Sequence, residues 1–356
     1  MKKKVMVAMS GGVDSSVAAA LLKDKGFEVI GLTMCFNLPD AKTGRPGCCG
    51  AQSIADAKRV ADILGIRHYV LNFGKDLQKF VIADFVKQYS QGLTPNPCVR
   101  CNELLKFDIL LKKALGLGMD YLATGHYARI IRLKRKYFLK KAKDSKKDQS
   151  YFLYRLTQEK LKRILFPLGE LEKSRVRELA EKFKLPVAKK KDSQEICFIP
   201  GSYQEFLKSR LKGKFSPGPI VDPNGKVLGT HQGIPFYTIG QRDKLRVACG
   251  YPVYVSRIDT LKNELVVGKK EELLKKRFLV KDMIYPGAAL KKKTLLRVRV
   301  RHLAGEALAW VKPVGKKAEV TFKKPCFAIT PGQSAVFYKK ETVAGGGIIE
   351  ASYNEK

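Results

Sequence analysis

Acidic residues are scarce in this 356-residue sequence, where 33 Asp and Glu stand against 69 Lys and Arg and the formal net charge is +36. Solubility does not require such an excess, and a thermophile's surface usually gains Glu alongside Lys, so a polyanionic partner is the simplest explanation. Long apolar runs are also missing. No segment approaches the ~18 apolar residues that span a bilayer, and the run after Lys2–Lys4 is too short for a signal peptide. We therefore expect a soluble cytoplasmic protein with no membrane partner.

Two common nucleotide-binding motifs are absent as well: neither G-x-x-x-x-G-K-[ST] nor G-x-G-x-x-G occurs. A disulfide framework is not expected from eight cysteines in a cytosolic chain of this size, so clustered cysteines become candidates for metal or redox chemistry. The C-x-x-C at Cys98–Cys101 lacks the two further close ligands that a structural zinc site needs. These absences leave the phosphate-binding and thiol motifs described next.

The segment Val5–Ser16 (VMVAMSGGVDSS) combines a strand, a tight turn and the start of a helix. Gly11 and Gly12 let the backbone approach a ligand closely, and the first N–H groups of the helix favour an anion. The turn therefore predicts a phosphate site. Its pattern, Ser10-Gly11-Gly12-Val13-Asp14-Ser15, resembles the SGGxDS pyrophosphate loop of N-type ATP pyrophosphatases.

Strand and helix patterns alternate through the first half of the chain. Strands are predicted at Phe27–Met34, Arg67–Asn72 and Tyr121–Thr124, and helices at Gln52–Leu64, Asp76–Tyr89, Asn102–Leu115 and Ser174–Lys184. Alternation of this kind indicates an α/β fold with a doubly wound parallel sheet. Ligands of such sheets bind beyond the carboxyl ends of the strands, which would bring together the Ser10 loop, Met34 and the Gly125-His126 turn. The Tyr151–Tyr154 aromatic cluster is expected in the core rather than on a stacking surface.

Three domains are predicted. Residues 1–207 form the α/β domain with the phosphate site, residues 208–276 a small mixed central domain, and residues 277–356 a β-barrel with closely spaced short strands. The lysine-rich stretch Arg129–Lys141 looks like a basic excursion that becomes ordered only against RNA.

Cys101 is a candidate nucleophile because it lies near a predicted helix start, beside Arg100, where the pKa of a thiol should be lowered. Cys197 lies in a polar segment flanked by lysines rather than in an apolar stripe. A buried structural cysteine is the alternative interpretation of this residue.

The whole chain resembles the tRNA-specific 2-thiouridylases, the MnmA family. The resemblance rests on Ser10–Ser16 (SGGVDSS), Asn96-Pro97 with Cys101-Asn102, Ala123–Arg129 (ATGHYAR), Lys147–Leu153 (KDQSYFL), Asp192–Ile199 (DSQEICFI) and Pro331–Tyr338 (PGQSAVFY). These motifs occur in the family's order from one end of the chain to the other. The resemblance implies that ATP activates C2 of the wobble uridine in tRNA by adenylation, and that sulfur then replaces the oxygen to give 2-thiouridine, AMP and pyrophosphate. It implies as well that the first domain binds ATP and is catalytic and that the central domain binds tRNA.

The resemblance also implies roles for individual residues. ATP contacts fall on Ala8, Met9, Ser10, Gly11, Gly12, Val13, Asp14, Ser15, Met34 and Gly125, with Asp14 helping to position Mg²⁺. Contacts to the target base and tRNA fall on Asn96, Pro97, Cys98, His126, Lys147, Asp148, Gln149, Arg299, Val300 and Gln333. Cys101 becomes the nucleophile and Cys197 the carrier of a persulfide sulfur that a donor protein, a persulfide carrier or a cysteine desulfurase, supplies. Cys101 either attacks that persulfide, forming a transient disulfide bond with Cys197, or helps to hold the sulfur.

Cys98 departs from the family pattern, because many members have Asp after Asn-Pro. The change removes a carboxylate that could transfer a proton and adds a third thiol. Cys98, Cys101 and Cys197 could therefore hold a [4Fe–4S] cluster whose fourth iron binds sulfide. Cysteine spacing leaves the persulfide and cluster alternatives open.

Two further function classes share part of this pattern. GMP, NAD and argininosuccinate synthetases have the same loop but activate small molecules, and they need neither paired thiols nor a basic excess. A non-catalytic RNA-binding or Fe–S scaffold protein is the other alternative, although the intact loop argues against a decayed enzyme.

Overall fold

The computed structural model describes residues 2–37, 50–191, 196–199 and 201–353. Asp192–Glu195 of the DSQEICFI motif lie outside the described residues. The chain divides into two compact units. The first contains Met1–Val81, Cys98–Phe198 and Glu341–Val343, and the second contains Ile82–Pro97, Ile199–Lys340 and Ala344–Lys356.

The elements have the following bounds. The strands are β1 Lys4–Ala8, β2 Glu28–Cys35, β3 Arg67–Asn72, β4 Tyr121–Thr124, β5 Ala128–Leu133, β6 Lys136–Lys141, β7 Ile164–Leu165, β8 Gly218–Val221, β9 Val227–His231, β10 Tyr254–Asp259, β11 Glu264–Gly268, β12 Leu274–Ile284, β13 Thr294–Arg299, β14 Ala307–Val314, β15 Lys317–Phe327, β16 Ser334–Lys339 and β17 Thr342–Tyr353. The α-helices are α1 Val13–Asp24, α2 Ala51–Ile63, α3 Gly74–Leu77, α4 Ala83–Ser90, α5 Pro97–Arg100, α6 Leu111–Gly116, α7 Gln158–Leu161, α8 Lys173–Lys182 and α9 Tyr203–Leu211. Gln78–Ile82 and Cys101–Leu110 are π-helical, and short 3₁₀ turns cover Ser150–Phe152, Ile234–Phe236 and Lys270–Leu273.

The sheet of the first unit confirms the predicted parallel α/β fold. Its five strands lie in the order β3-β2-β1-β4-β7, and every neighbouring pair is parallel. The strand order switches between β1 and β4, so a ligand is expected beyond the carboxyl ends of these two strands. Both ends carry a predicted motif, the Ser10 loop after β1 and the Gly125-His126 turn after β4.

The core of the first unit explains why β1 and α1 are so apolar. Val5 and Val7 of β1 and Val17 of α1 are completely buried, and they pack in one cluster with apolar residues of α2 and α8. Tyr151 and Tyr154 are also fully buried, which confirms that this aromatic cluster belongs to the core. Burial of these side chains fixes the position of the loop that joins β1 to α1.

The basic stretch Arg129–Lys141 is ordered within the protein, so the expectation that it orders only against RNA is wrong. It forms the antiparallel hairpin β5–β6. Glu341 accepts from Arg129 and Lys140, each at 3.0 Å, and Thr342 pairs with Lys140. Ion pairs and a strand partner within the protein thus order this hairpin without RNA.

The second unit contains two β-structures. Strands β10-β11-β8-β9 form a four-stranded sheet. Strands β12-β15-β14-β13-β16-β17 form a barrel that β12 and β17 close, which confirms the predicted C-terminal β-barrel. Phe278, Phe322 and Phe337 are almost completely buried inside it. Across the described residues, no helix is long and apolar enough to span a membrane.

Candidate active site

The loop between β1 and α1 is held by the hydroxyl group of Ser15. Its Oγ accepts from the Ser10 backbone N–H at 3.1 Å and donates to the Gly12 carbonyl at 3.2 Å. Ser15 is buried, whereas Ser10 is exposed. Gly12 occupies the N-cap position of α1 and has no side chain with which to cap the helix. The first N–H groups of α1 therefore favour an anion such as a phosphate.

Two glycines of the site are required by close backbone packing. Gly11 has φ +69°, and a Cβ atom there would lie 2.0 Å from the Ser53 carbonyl oxygen. A Cβ atom on Gly125 would lie 2.7 Å from the Ser15 backbone nitrogen. Gly12 differs, because its φ is −102° and, among the described residues, its Cβ would meet only the Ser10 Oγ, at 3.6 Å. The space at Gly12 is thus available to a ligand.

Alanine substitutions should separate these two roles. We expect Gly12→Ala to cost less than about 1 kcal/mol of stability, the difference between Gly and Ala at an N-cap, but to weaken ATP binding about tenfold or more. Gly125→Ala should cost about 1–3 kcal/mol because the new methyl group overlaps backbone atoms. Thermal unfolding and calorimetric titration with ATP measure the two effects. Equal ATP affinity in Gly12→Ala and the unmodified protein would contradict the assignment of this space to phosphate.

Lys173, a residue that sequence reasoning missed, contacts the aspartate of the loop. Its Nζ donates to both carboxylate oxygens of Asp14, at 2.7 and 2.9 Å, and the Tyr127 hydroxyl donates to the same carboxylate at 2.8 Å. Lys173 is the first residue of α8, and its side chain is largely buried. Lysines are so common in this chain that no sequence signal distinguishes this one.

Lys190 brings a second cation to the loop. Its Nζ donates to the Gly11 carbonyl at 3.0 Å and to Asp56 at 2.7 Å. The hydrogen bond from Lys190 is the main cause that lowers the pKa of Asp56. The ammonium groups of Lys173 and Lys190 therefore flank the loop. Their positive charge can stabilise the negative charge of a bound polyphosphate.

The predicted ATP contacts gather at the carboxyl ends of the strands. Ala8–Ser15 form the loop itself, and the Gly125 turn packs against the start of α1. Met34 lies half-buried near the end of β2, next to Thr33, whose hydroxyl donates to the Met9 carbonyl at 2.8 Å. The side chains of Met9 and Val13 are buried in the core, so these two residues can offer only backbone atoms to ATP.

Cys101 does not lie at a helix start, and its pKa is not lowered. The helical segment begins at Pro97, and Cys101 opens the π-helical stretch that follows α5. The residue is buried, and burial raises the pKa of its thiol, while the charge of Lys106 offsets part of that effect. The expectation of a thiolate stabilised by the helix was therefore wrong, because desolvation outweighs the neighbouring charges. Lys106, like Lys173 and Lys190, is a residue that sequence reasoning missed.

This environment predicts the pH dependence of Cys101. Because its pKa is raised, the thiolate fraction at neutral pH falls below that of an ordinary thiol, whose pKa is about 8.5, and should keep rising with pH beyond that value. Lys106→Gln should shift the titration to higher pH, and Lys106→Arg should leave it nearly unchanged. Alkylation rates with iodoacetamide over an alkaline pH series, resolved by peptide, measure this. A midpoint at or below that of ordinary thiols would contradict the prediction.

The three candidate sulfur-handling cysteines differ in exposure. Cys101 is buried, whereas Cys98 and Cys197 are exposed. Within the described ranges, no group of three or more His, Cys, Asp or Glu side chains is arranged to hold a metal ion. Cys98, Cys101 and Cys197 thus do not fit a cluster in this conformation.

The predicted tRNA contacts of the first unit lie around Tyr127. His126 is half-buried between Phe107 and Phe166, its Nδ1 lies 2.7 Å from the Thr124 hydroxyl, and burial lowers its pKa well below the usual value. This ring is therefore neutral at physiological pH.

Asp148 and Gln149 position the loop that contains them. Asp148 is buried, and its carboxylate accepts from the Ala142 and Ser150 backbone N–H groups, at 3.0 and 3.2 Å. Gln149 accepts from the Tyr127 N–H at 2.9 Å through its side chain. Lys147, the third member of the motif, is half-buried beside them.

The other predicted tRNA contacts belong to the second unit. Gln333 donates to the Thr94 carbonyl at 3.2 Å, two residues before Asn96-Pro97. Arg299 pairs with Glu306 at 2.9 Å, and its guanidinium lies 5.5 Å from the ring centroid of Tyr338. The side chain of Val300 is buried, so any RNA contact from this residue comes from its backbone.

Comparison with known proteins gives consistent matches over almost the whole chain. Three family models match in order: a tRNA methyl transferase HUP domain at residues 3–201, a tRNA methyl transferase PRC-barrel domain at 204–269 and an aminomethyltransferase beta-barrel domain at 275–349. A tRNA-specific 2-thiouridylase MnmA of Carboxydothermus hydrogenoformans is 49% identical, with 98% of each chain covered. One of Moorella thermoacetica is 48% identical, covering 97% of this chain and 99% of that one.

Solved structures resemble the chain only loosely. The U34-tRNA thiolase NcsA of Methanococcus maripaludis with its [4Fe-4S] cluster is 22% identical at a TM-score of 0.36, covering 60% of this chain and 67% of that one. Similarity at this level carries no information about the chemistry of the site.

Proposed function

Because the chain belongs to the family of tRNA-specific 2-thiouridylases, we propose that it uses ATP to replace the C2 oxygen of the wobble uridine of tRNA with sulfur. The observation that carries the proposal is the pyrophosphate loop of the first unit, flanked by Lys173 and Lys190, in the same unit as Cys101 and Cys197. A site with a polyphosphate cradle and separate thiols can both activate an oxygen and deliver a sulfur.

The first step activates the uracil oxygen. The C2 oxygen attacks the α-phosphorus of ATP, the bond to the β-phosphate breaks, and pyrophosphate leaves. The Ser10 loop and the N–H groups of α1 bind the leaving pyrophosphate, and the ammonium groups of Lys173 and Lys190 neutralise its developing charge. The product is an O2-adenylylated uridine whose leaving group is AMP.

The carboxylate of Asp14 is the candidate ligand for Mg²⁺, which would supply charge neutralisation on the phosphates. Both Asp14 oxygens accept from Lys173, and a carboxylate in this state fits a metal only if the lysine moves aside. We propose that Lys173 transfers from Asp14 to a phosphate when ATP binds. The charge of Asp14 is then available, and no ammonium group is left without a partner.

The second step transfers sulfur. The terminal sulfur of a Cys197 persulfide attacks C2, and AMP leaves with the original oxygen. The Cys101 thiolate then attacks the Sγ of Cys197, which breaks the S–S bond, leaves the sulfur on uridine and forms a Cys101–Cys197 disulfide. A sulfur-donor protein loads Cys197, and an external thiol reduces the disulfide. Exposure of Cys197 suits loading by a protein, and burial of Cys101 protects it from oxidation.

The test is anaerobic purification with iron and sulfide analysis, followed by thiolation of unmodified tRNA with ATP. Iron-free protein that thiolates tRNA from a persulfide donor, with Cys98→Ala as active as the unmodified chain, would support the relay. About four irons per chain, lost together with activity in Cys98→Ala, would overturn the relay in favour of a cluster. ATP turnover stimulated by a small acid, with no RNA bound, would point instead to a small-molecule synthetase.

A further inference from the structure

The chain's single tryptophan, Trp310, lies on the surface of the β-barrel. Its side chain is 38% exposed, and Tyr353 on β17 is 39% exposed. Large aromatic side chains contribute most to stability when they are buried. A partly exposed tryptophan on the surface therefore indicates a binding site.

Strand register places Trp310 and Tyr353 in one row. Trp310 pairs with Thr321, Thr321 with Arg277, and Arg277 with Tyr353, so the row crosses β14, β15, β12 and β17. The alternate residues of these strands fill the barrel, including Val311, Phe322 and Phe278. Side chains alternate across a strand, so the whole row points outward. Three strand spacings separate the two aromatic residues by about 14 Å.

Positive charge surrounds this row. Lys293, Lys312 and Glu319 complete the lining of a shallow groove of about 250 Å³, which we call the Trp310 groove. The Nζ of Lys293 lies 5.3 Å from the centroid of the Trp310 ring, and Lys312 lies 3.7 Å from Glu319. Among the described residues that line the groove, Arg277, Lys293 and Lys312 are three cations against the one carboxylate of Glu319, so this lining attracts anions.

We propose that the Trp310 groove binds unpaired nucleotides of RNA. A base stacks on the Trp310 ring in the place that Lys293 occupies, and adjacent phosphates contact Arg277 and Lys312. The groove has room for a base against Trp310, and the adjacent nucleotides would follow the row toward Tyr353. An acidic peptide would pair with the cations but would make no use of an aromatic face at each end of the row.

The inference rests on the proposed function, since the RNA is taken to be the tRNA substrate, but the groove lies in the second unit and uses none of the loop residues. Stacking of one base by an exposed aromatic side chain contributes enough affinity that Trp310→Ala should weaken tRNA binding about 5- to 150-fold. Trp310→Phe should retain most of that affinity because the ring still stacks.

The test uses the fluorescence of Trp310, the only tryptophan in the full chain. Titration with unmodified tRNA transcript, and separately with oligouridylate, should quench the emission, with an affinity that falls as salt rises. Binding of labelled tRNA to Trp310→Ala and Trp310→Phe is measured by anisotropy. Leu308→Ala is the matched control, because Leu308 is 40% exposed two residues away on the same strand and should not change affinity.

Each result has one meaning. Quenching by both RNAs and weaker binding in Trp310→Ala alone support the inference. Emission that stays unchanged while tRNA is bound and thiolated overturns the inference and leaves the proposed function intact. Quenching by polyglutamate but not by RNA also overturns it, in favour of an acidic protein partner. Failure to bind or thiolate tRNA rejects the proposed function, while the oligouridylate titration still tests the groove.

Discussion

Replacing Cys197 with serine is expected to reduce tRNA thiolation by at least about 10³-fold while pyrophosphate release continues, because a hydroxyl group cannot carry a transferable sulfur. Thiolation and pyrophosphate release should be separable because different groups serve them: Lys173 and Lys190 assist adenylation, and the exposed thiol of Cys197 carries the sulfur. Single-turnover assays with a persulfide donor, scored for 2-thiouridine and for pyrophosphate, measure both steps.

Cys249→Ser is the control for this substitution, since Cys249 is another free thiol and lies in the second unit. It should leave both steps unchanged. Cys101→Ser should also block thiolation but allow a persulfide to accumulate on Cys197, which intact-mass analysis detects as one added sulfur. Loss of pyrophosphate release in Cys197→Ser would contradict a role confined to sulfur transfer.

Replacing Lys173 with methionine is expected to lower kcat/KM for adenylation by about 10²–10³-fold, the usual cost of removing one preorganised donor to developing charge. The substitution also leaves Asp14 with the Tyr127 hydroxyl in place of an ion pair, and so adds negative charge where ATP must bind. Lys173→Arg should recover part of the rate because it restores the charge but not the shape.

Lys182→Met is the matched control, because Lys182 is an exposed lysine at the other end of α8 and its loss changes the net charge by the same amount. Exchange of labelled pyrophosphate into ATP in the presence of tRNA measures the effect. Equal rates in Lys173→Met and Lys182→Met would show that Lys173 merely holds the loop in the free protein.

Much of the fold could be predicted because periodicity and burial agree. The predicted strands Arg67–Asn72 and Tyr121–Thr124 match the structure residue for residue. The start of the segment around Cys101 could not be predicted, because proline at Pro97 suggested a boundary after it, whereas proline is also well suited to the first turn of a helix.

Some residues of the candidate site could be predicted from the sequence and others could not. Loop residues follow from a local motif and could be identified, but Lys173, Lys190 and Lys106 reach the site through the fold and look like any of the chain's other lysines. The pKa of Cys101 depends on how deeply folding buries it, and local sequence showed only its charged neighbours.

The pairing of Glu341 and Thr342 with the β5–β6 hairpin has a consequence for folding during translation. The first unit needs three residues, Glu341–Val343, that leave the ribosome about 140 residues after Phe198. At ordinary rates of translation this delay lasts about 7 to 30 s, during which the edge of β6 has no strand partner from this segment. An exposed edge is prone to aggregation, and the lysines along β6 are the kind of residue that protects one. We therefore expect the basic residues of this hairpin to keep the growing chain soluble until β17 has been synthesised.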